Sequence, residues 1–397
     1  MREHLLLLLL AVARVGVGSL APQDPALTCK IPRAGYGVGL HNLRLQLAGY
    51  SRRFLLFVPP NYRAEVRAPL WILAPGSYDS AEKFLGQSGM VQYAKRRQFA
   101  FVALEGVNHE LSVALHSWSS PDMPDDVEYT KAVLRDVTQK LCIDRDKVHC
   151  AGFSRGARFC SRLASELSNF VAGVAAVGGI RFPEPNNSTR PIPIVAFHGT
   201  KDPINPYWGH GNPTYWHTAV PDSTRKWASF NGCTSQQWVR KSPTVTYDKR
   251  FNCTKDAEVL LILIDGGGHT WPGTDYSFEE SQFGRTSHEV DANEVMWHFF
   301  AEHPAASECH TALEGEPCFR AVRWAMHAGL ADHPEWERLL KSTRRLEEFQ
   351  GVLHDGIYAD CPRPCWGEAP PPRGHRPATP AHATATVRPP AIRAPGP

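Results

Sequence analysis

Gly152-Phe153-Ser154-Arg155-Gly156 follows the apolar, strand-like run Lys147-Val148-His149-Cys150-Ala151 and precedes a helix-like stretch. A serine flanked by glycines at this spacing suits a sharp strand-to-helix turn, where bulky neighbours would block the reversal of the backbone. Such a turn, a nucleophile elbow, lifts the hydroxyl clear of the sheet and aims the N–H of the next residue, Arg155, at a substrate oxygen. The helix expected after it, roughly Arg155 to Ser168, carries Phe159, Leu163 and Leu167 on one stripe, as a buried helix should.

Working outward, the chain alternates short β-rich runs with helical patterns from Arg53 onward, the signature of a mostly parallel sheet covered on both faces. The expected strands are Phe54 to Val58, Leu70 to Ala74, Phe99 to Leu104, Lys147 to Ala151, Val171 to Val177, Ile192 to Phe197 and Val259 to Ile264. Several are unbroken apolar runs, as strands buried on both faces must be. Asp126 to Leu141 has Val127, Val133, Leu134, Val137 and Leu141 at helical spacing and reads as a surface helix, with Asp125 and Asp126 favourable at its positive end. A last helix around Val290 to Phe300 closes the domain near His303-Pro304.

The 397 residues leave room for one large α/β domain plus an appendage. With 43 basic and 40 acidic side chains the formal charge is only +3, and no basic stripe with interleaved aromatics occurs, so a nucleic-acid partner is not expected. Arg2, the apolar run Leu5 to Ala13 and the small residues up to Ala21 read as a signal peptide over residues 1–21, too short for a spanning helix. A secreted or secretory-lumen product without a membrane span follows. In that setting the ten cysteines favour disulfides, and none has zinc spacing, so no metal and no cofactor is expected. Asn186, Asn187 and Asn252 begin glycosylation sequons. Residues 309–365, bracketed by Cys309 and Cys365 and helical around Ala321 to Leu330, read as a small disulfide-stapled module. Residues 367–397 are mostly Pro, Ala, Arg, Thr and His, a composition that cannot bury enough apolar surface to order itself.

A serine hydroxyl needs a histidine base, itself oriented by a carboxylate. After the strand ending at Phe197 comes His198-Gly199-Thr200-Lys201-Asp202-Pro203, and after the strand ending at Ile264 comes Asp265-Gly266-Gly267-Gly268-His269-Thr270-Trp271-Pro272-Gly273. Ser154, Asp202 and His269 therefore follow three strands in the chain order of α/β-hydrolases. The rival His198 precedes Asp202, breaks that order, and is expected to shape the acid loop. Asp202 as a mere turn former and His269 as a mere loop residue are the structural alternatives. A second oxyanion donor is expected from Ser77 or Gly76 in the turn Pro75-Gly76-Ser77-Tyr78. Trp271, Trp118, Trp208 and Trp216 sit in loops near the strand ends and could line a cleft, Trp271 foremost because it almost adjoins the base.

These segments, with Asp125-Asp126-Val127 and Cys142-Ile143-Asp144, resemble the secreted α/β-hydrolase esterases that group feruloyl esterases, acetylxylan esterases and polyhydroxybutyrate depolymerases (carbohydrate esterase family one-like). The likeness covers approximately residues 29–304, and its most specific piece is Gly-His-Thr-Trp-Pro-Gly around His269. It implies Ser154 as nucleophile, Asp202 as acid, His269 as base and a Cys233–Cys253 bridge. Two departures stand out: Pro75-Gly76 replaces the family's His-Gly, and Ala157 replaces a glycine after the elbow. The 309–365 module lies outside the esterase pattern. The expected activity is that of a serine esterase acting through an acyl-enzyme on a feruloyl or acetyl ester of a polysaccharide or on a hydroxyalkanoate polyester. The alternative is a non-catalytic carbohydrate-binding protein on the same scaffold; a peptidase is less favoured because no cap or propeller of sufficient length is present. Oligomeric state is not legible.

Overall fold

The structure, a computed structural model, describes residues 35–106, 125–209, 216–305, 310–338, 340, 345–356, 361–362 and 364. The signal-peptide reading, the tail 367–397, Trp118, Cys29, Cys309 and Cys365 lie outside the described residues.

In chain order the elements are β1 (Gly39–Leu47), β2 (Tyr50–Val58), β3 (Ala68–Ala74), α1 (Ala81–Ser88), α2 (Met90–Arg97), β4 (Ala100–Leu104), α3 (Asp126–Lys140), β5 (Ile143–Phe153) and α4 (Arg155–Glu166). There follow β6 (Gly173–Val177), β7 (Ile194–Gly199), α5 (Val220–Phe230), β8 (Ser235–Arg240), β9 (Val245–Phe251), β10 (Val259–Ile264), the single turn α6 (Glu280–Phe283) and α7 (Ala292–Glu302). They build one ten-stranded sheet in the order β1-β2-β4-β3-β5-β6-β7-β10-β9-β8. The central strands β4, β3, β5, β6, β7 and β10 pair in parallel, and antiparallel pairs extend both flanks. This is the α/β-hydrolase architecture, a mostly parallel sheet flanked by helices.

All six central strands need cover on both faces, and two apolar clusters provide it. One packs Val133, Leu134 and Val137 of α3, Phe159 and Leu163 of α4 and Trp227 of α5 on one face. The other packs Phe84 of α1, Tyr93 of α2 and Phe299 and Phe300 of α7 on the opposite face. The amphipathic helix starting at Asp126 is tied inward at its first residue. Asp126 bonds the buried Arg52 at 2.6 Å, and that guanidinium stacks 3.9 Å from the Tyr129 ring centroid.

The parallel register matters most for the site. Ala74 of β3 lies beside Gly152 of β5, Phe153 beside Val177 of β6, Val177 beside Phe197 of β7, and Gly199 beside Ile264 of β10. The loops leaving β3, β5, β6, β7 and β10 therefore emerge along one edge of the sheet.

Three strands differ from the sequence reading. β1, β8 and β9 have no unbroken apolar run; they are flanking strands with mixed faces, such as Ser235-Gln236-Gln237-Trp238-Val239-Arg240. In the C-terminal segment, α8 (Pro317–Trp324) passes through a wide turn at Ala325–Gly329 into the short α9 (Leu330–Asp332), and α10 (Leu346–Gly356) follows. These helices and the 3-10 turn Pro334–Arg338 share a cluster of their own that includes Val322, Trp336, Phe349 and Leu353. Cys318–Cys361 staples it, while Cys233–Cys253 joins the end of α5 to the end of β9. A bridge not foreseen, Cys150–Cys160, ties β5 to α4 across the elbow. No described cysteine is free.

Candidate active site

Ser154 stands between β5 and α4 with φ 54° and ψ −115°, a conformation an L side chain rarely adopts. Its N–H donates to Val177 O at 2.8 Å, and its carbonyl accepts from Ala157 N at 3.1 Å. The two flanking glycines are demanded by close approach. A methyl on Gly152 would lie 2.3 Å from Gly156 O, and one on Gly156 would lie 1.9 Å from Ala74 O. The strand, the turn and the helix thus meet backbone to backbone, and the serine is held out at the sheet edge, 7 % exposed. Arg155 is the first residue of α4, where backbone N–H groups point out of the helix and its dipole is positive.

His269 arrives from the loop after β10. Its N–H donates to Phe283 O, and its ring lies over Phe153, with centroids 4.9 Å apart. A methyl on Gly178 would meet His269 Nδ1 and Cε1 at 3.2 Å, and one on Gly179 would meet Ser154 O at 2.1 Å. The Gly178-Gly179 turn after β6 is therefore wedged against both the imidazole and the serine. Asp202 arrives from the loop after β7, and His269 Nδ1 lies 2.7 Å from Asp202 Oδ2. Asp202 and His269 are in direct contact, Ser154 stands across the Gly178-Gly179 turn from the imidazole, and all three residues are buried.

The carboxylate is over-determined. Its Oδ1 accepts from the N–H groups of Ile204 at 2.9 Å and Asn205 at 2.7 Å, leaving Oδ2 for the imidazole. Burial works to raise the Asp202 pKa, but the neighbouring His269, through charge and hydrogen bond, prevails and holds it below the usual carboxylate range. His198 stands behind it. Its Nε2 lies 2.8 Å from Asn205 O and 3.4 Å from Asp202 Oδ2, and its ring stacks on Trp216. Burial drives the His198 pKa down, so it is the neutral imidazole that donates to Asn205 O. His198 thus lies against the acid loop, while His269 makes the short contact to Asp202.

The other expected residues divide. Gly76 is buried against Ser154 and Ser77 is half-exposed, in a turn closed by Asp79 N–H donating to Gly76 O at 3.3 Å. Trp271 is a correction: it is 0 % exposed, packs edge-on against Phe84 and Phe153, and donates its indole N–H to Asn293 at 3.1 Å. Its adjacency to His269 in sequence reflects anchoring of the base loop to α7, not a surface for a ligand. Trp216 is likewise buried, donating to Pro206 O at 2.7 Å. Trp208 is half-buried against Tyr207. One aromatic contact went unread: Phe278 touches Phe153 at 5.8 Å, with Tyr276 beyond it at 4.9 Å, forming a wall that reaches the surface. Among the described residues, no group of three or more His, Cys, Asp or Glu is placed to hold a metal ion, and no helix is long and apolar enough to cross a membrane.

Several known proteins are similar to this chain. NocK of Nocardia uniformis subsp. tsuyamanensis, a protein ascribed esterase activity, is 28% identical over 276 residues, covering 64% of this chain and 80% of NocK. Feruloyl esterase B of Piromyces equi is 26% identical over 234 residues, which is 55% of this chain but only 42% of that enzyme. Feruloyl esterase D of Neurospora crassa is 26% identical over 196 residues, 45% of this chain and 65% of its own length. The chain thus spans less than two thirds of either feruloyl esterase. A solved thermostable esterase superposes with a TM-score of 0.46 at 16% identity, over 67% of this chain and 63% of its own. No protein-family model matches the chain.

Proposed function

We propose that this protein is a carboxylic ester hydrolase in which Ser154 is the nucleophile, His269 the general base and Asp202 its orienting acid. The observation that carries the reading is the 2.7 Å bond between His269 Nδ1 and Asp202 Oδ2, with Ser154 in elbow geometry across the Gly178-Gly179 turn from the imidazole. With Nδ1–H committed to the carboxylate, Nε2 is the nitrogen left to accept the Ser154 proton. Ser154 Oγ then attacks the ester carbon, and the alkoxide that forms is held by the N–H of Arg155 and by an N–H of Gly76 or Ser77. Collapse expels the alcohol, which leaves with the proton from His269. Water, deprotonated by the same nitrogen, attacks the acyl-enzyme and releases the acid.

The feruloyl esterases to which the chain is similar support a feruloyl ester as substrate; an acetyl ester of a polysaccharide and a hydroxyalkanoate polyester are the further candidates. Disulfides on the described chain, and exposed sequon asparagines at Asn187 and Asn252, fit an extracellular or secretory-lumen setting. Purified protein and its Ser154→Ala variant, assayed on short p-nitrophenyl esters and on feruloylated, acetylated and polyester substrates, test the reading. Turnover abolished in the variant supports it; no turnover on any ester would overturn it.

A further inference from the structure

A carboxylate stands against the loop expected to hold the oxyanion. Asp79 is 5 % exposed, and its N–H closes the turn onto Gly76 O. A methyl carbon built on Gly76 would lie 3.1 Å from Asp79 Oδ2 and 3.5 Å from Ser154 Cβ. The carboxylate and the nucleophile therefore flank the same glycine. A lone anion at that place opposes the negative charge that grows on the ester oxygen during attack.

The structure supplies the counter-charge. Lys83 Nζ lies 2.5 Å from Asp79 Oδ1, reaching back from the first turn of α1. Ser80 caps that helix by accepting from Lys83 N at 3.1 Å, which fixes the lysine backbone relative to the loop. The Asp79 hydrogen bond in turn raises the Lys83 pKa, so the ammonium stays charged. The N-terminus of α1 accounts for an acidic residue before the cap. It does not account for burial of that carboxylate against the glycine that also touches the nucleophile.

We propose that Lys83 is a positioning residue for the oxyanion loop: it holds Asp79 in a neutral pair against Gly76 and so cancels a charge that would otherwise oppose the transition state. The proposal rests on the serine-esterase reading. It also gives the Pro75-Gly76 loop, which lacks the family's histidine, a support of its own.

The test compares kcat and KM on a short p-nitrophenyl ester for the wild type, Lys83→Met, Lys83→Arg and the double variant Asp79→Asn/Lys83→Met, with the thermal midpoint of each. Lys83→Met leaves the carboxylate uncompensated, and kcat is expected to fall roughly tenfold or more with KM little changed. Lys83→Arg is expected to retain most of the rate. The double variant is expected to recover most of the lost kcat, although it has no ion pair, because the opposing charge is gone. A double variant as slow as Lys83→Met would show a purely structural clamp and overturn the proposal, as would an unchanged kcat in Lys83→Met. An inactive wild type would overturn the esterase reading and this proposal together, whereas an active wild type with either of those results overturns only the proposal.

Discussion

Replacing Asp202 by Asn probes the site with the least change of shape. Oδ1 would still accept from the N–H groups of Ile204 and Asn205, so the loop keeps both of its anchoring bonds. The other side of the group changes sign. Where Oδ2 accepts from His269 Nδ1 at 2.7 Å, an amide NH2 would present hydrogens. Two donors cannot face each other, so the imidazole shifts its proton to Nε2 and offers Ser154 a donor in place of a base. The negative charge that steadies the imidazolium in a site 4 % exposed is lost as well. Together these effects are worth about 10⁴ in kcat, or about 5 kcal/mol of barrier, with KM nearly unchanged because neither change touches bound ester before reaction. Steady-state kinetics on a p-nitrophenyl ester, with circular dichroism to verify folding, measure it. A folded Asp202→Asn variant with kcat within about tenfold of wild type would refute the reasoning, because the carboxylate would then not set the tautomer.

Further outcomes follow from other parts of the fold. Gly156→Ala puts a methyl 1.9 Å from Ala74 O, a backbone atom that cannot yield, so denaturant unfolding should show a loss of about 3 kcal/mol or more, or no folded protein. Removing the Cys150–Cys160 bridge, whose cysteines are 10 residues apart, as Cys150→Ala/Cys160→Ala should cost about 3 kcal/mol in the same assay. His149 is buried against Phe300, and burial lowers its pKa to about 3. The folded state thus binds this proton later than the unfolded chain does, so the His149 contribution is whole above about pH 6.5 and drains away as pH falls toward 3. Denaturation curves across that window should show a stability slope of up to about 1.4 kcal/mol per pH unit from this residue, and His149→Phe should remove it.

Which parts of the molecule were legible follows from which signals are local. β3, β4 and β10 announce themselves as unbroken apolar runs because both faces are covered, and the elbow announces itself because only glycine tolerates contacts such as that of Gly156 with Ala74. The contact between Asp202 and His269 was legible because the loops that carry them follow the apolar strands β7 and β10. β1, β8 and β9 were not, since a strand on a sheet flank needs no apolar run and Gln236-Gln237 breaks any pattern. Trp271 misled for a related reason: closeness to His269 in sequence says nothing of the side on which the ring lies, and the ring turns into the core toward Asn293. The Asp79–Lys83 pair looks in sequence like any ion pair one helical turn apart, and only the packing of Gly76 reveals its relation to Ser154. The Cys150–Cys160 bridge was equally hidden, because ten cysteines allow many pairings.

The central claim is that Ser154 is an activated nucleophile. Incubation with a fluorophosphonate probe followed by peptide mass spectrometry tests it without any choice of substrate. One adduct on the peptide carrying Ser154, lost in His269→Ala and Ser154→Ala, is the predicted result. A folded wild-type protein that takes up no probe, or takes it up on another residue, would contradict the account.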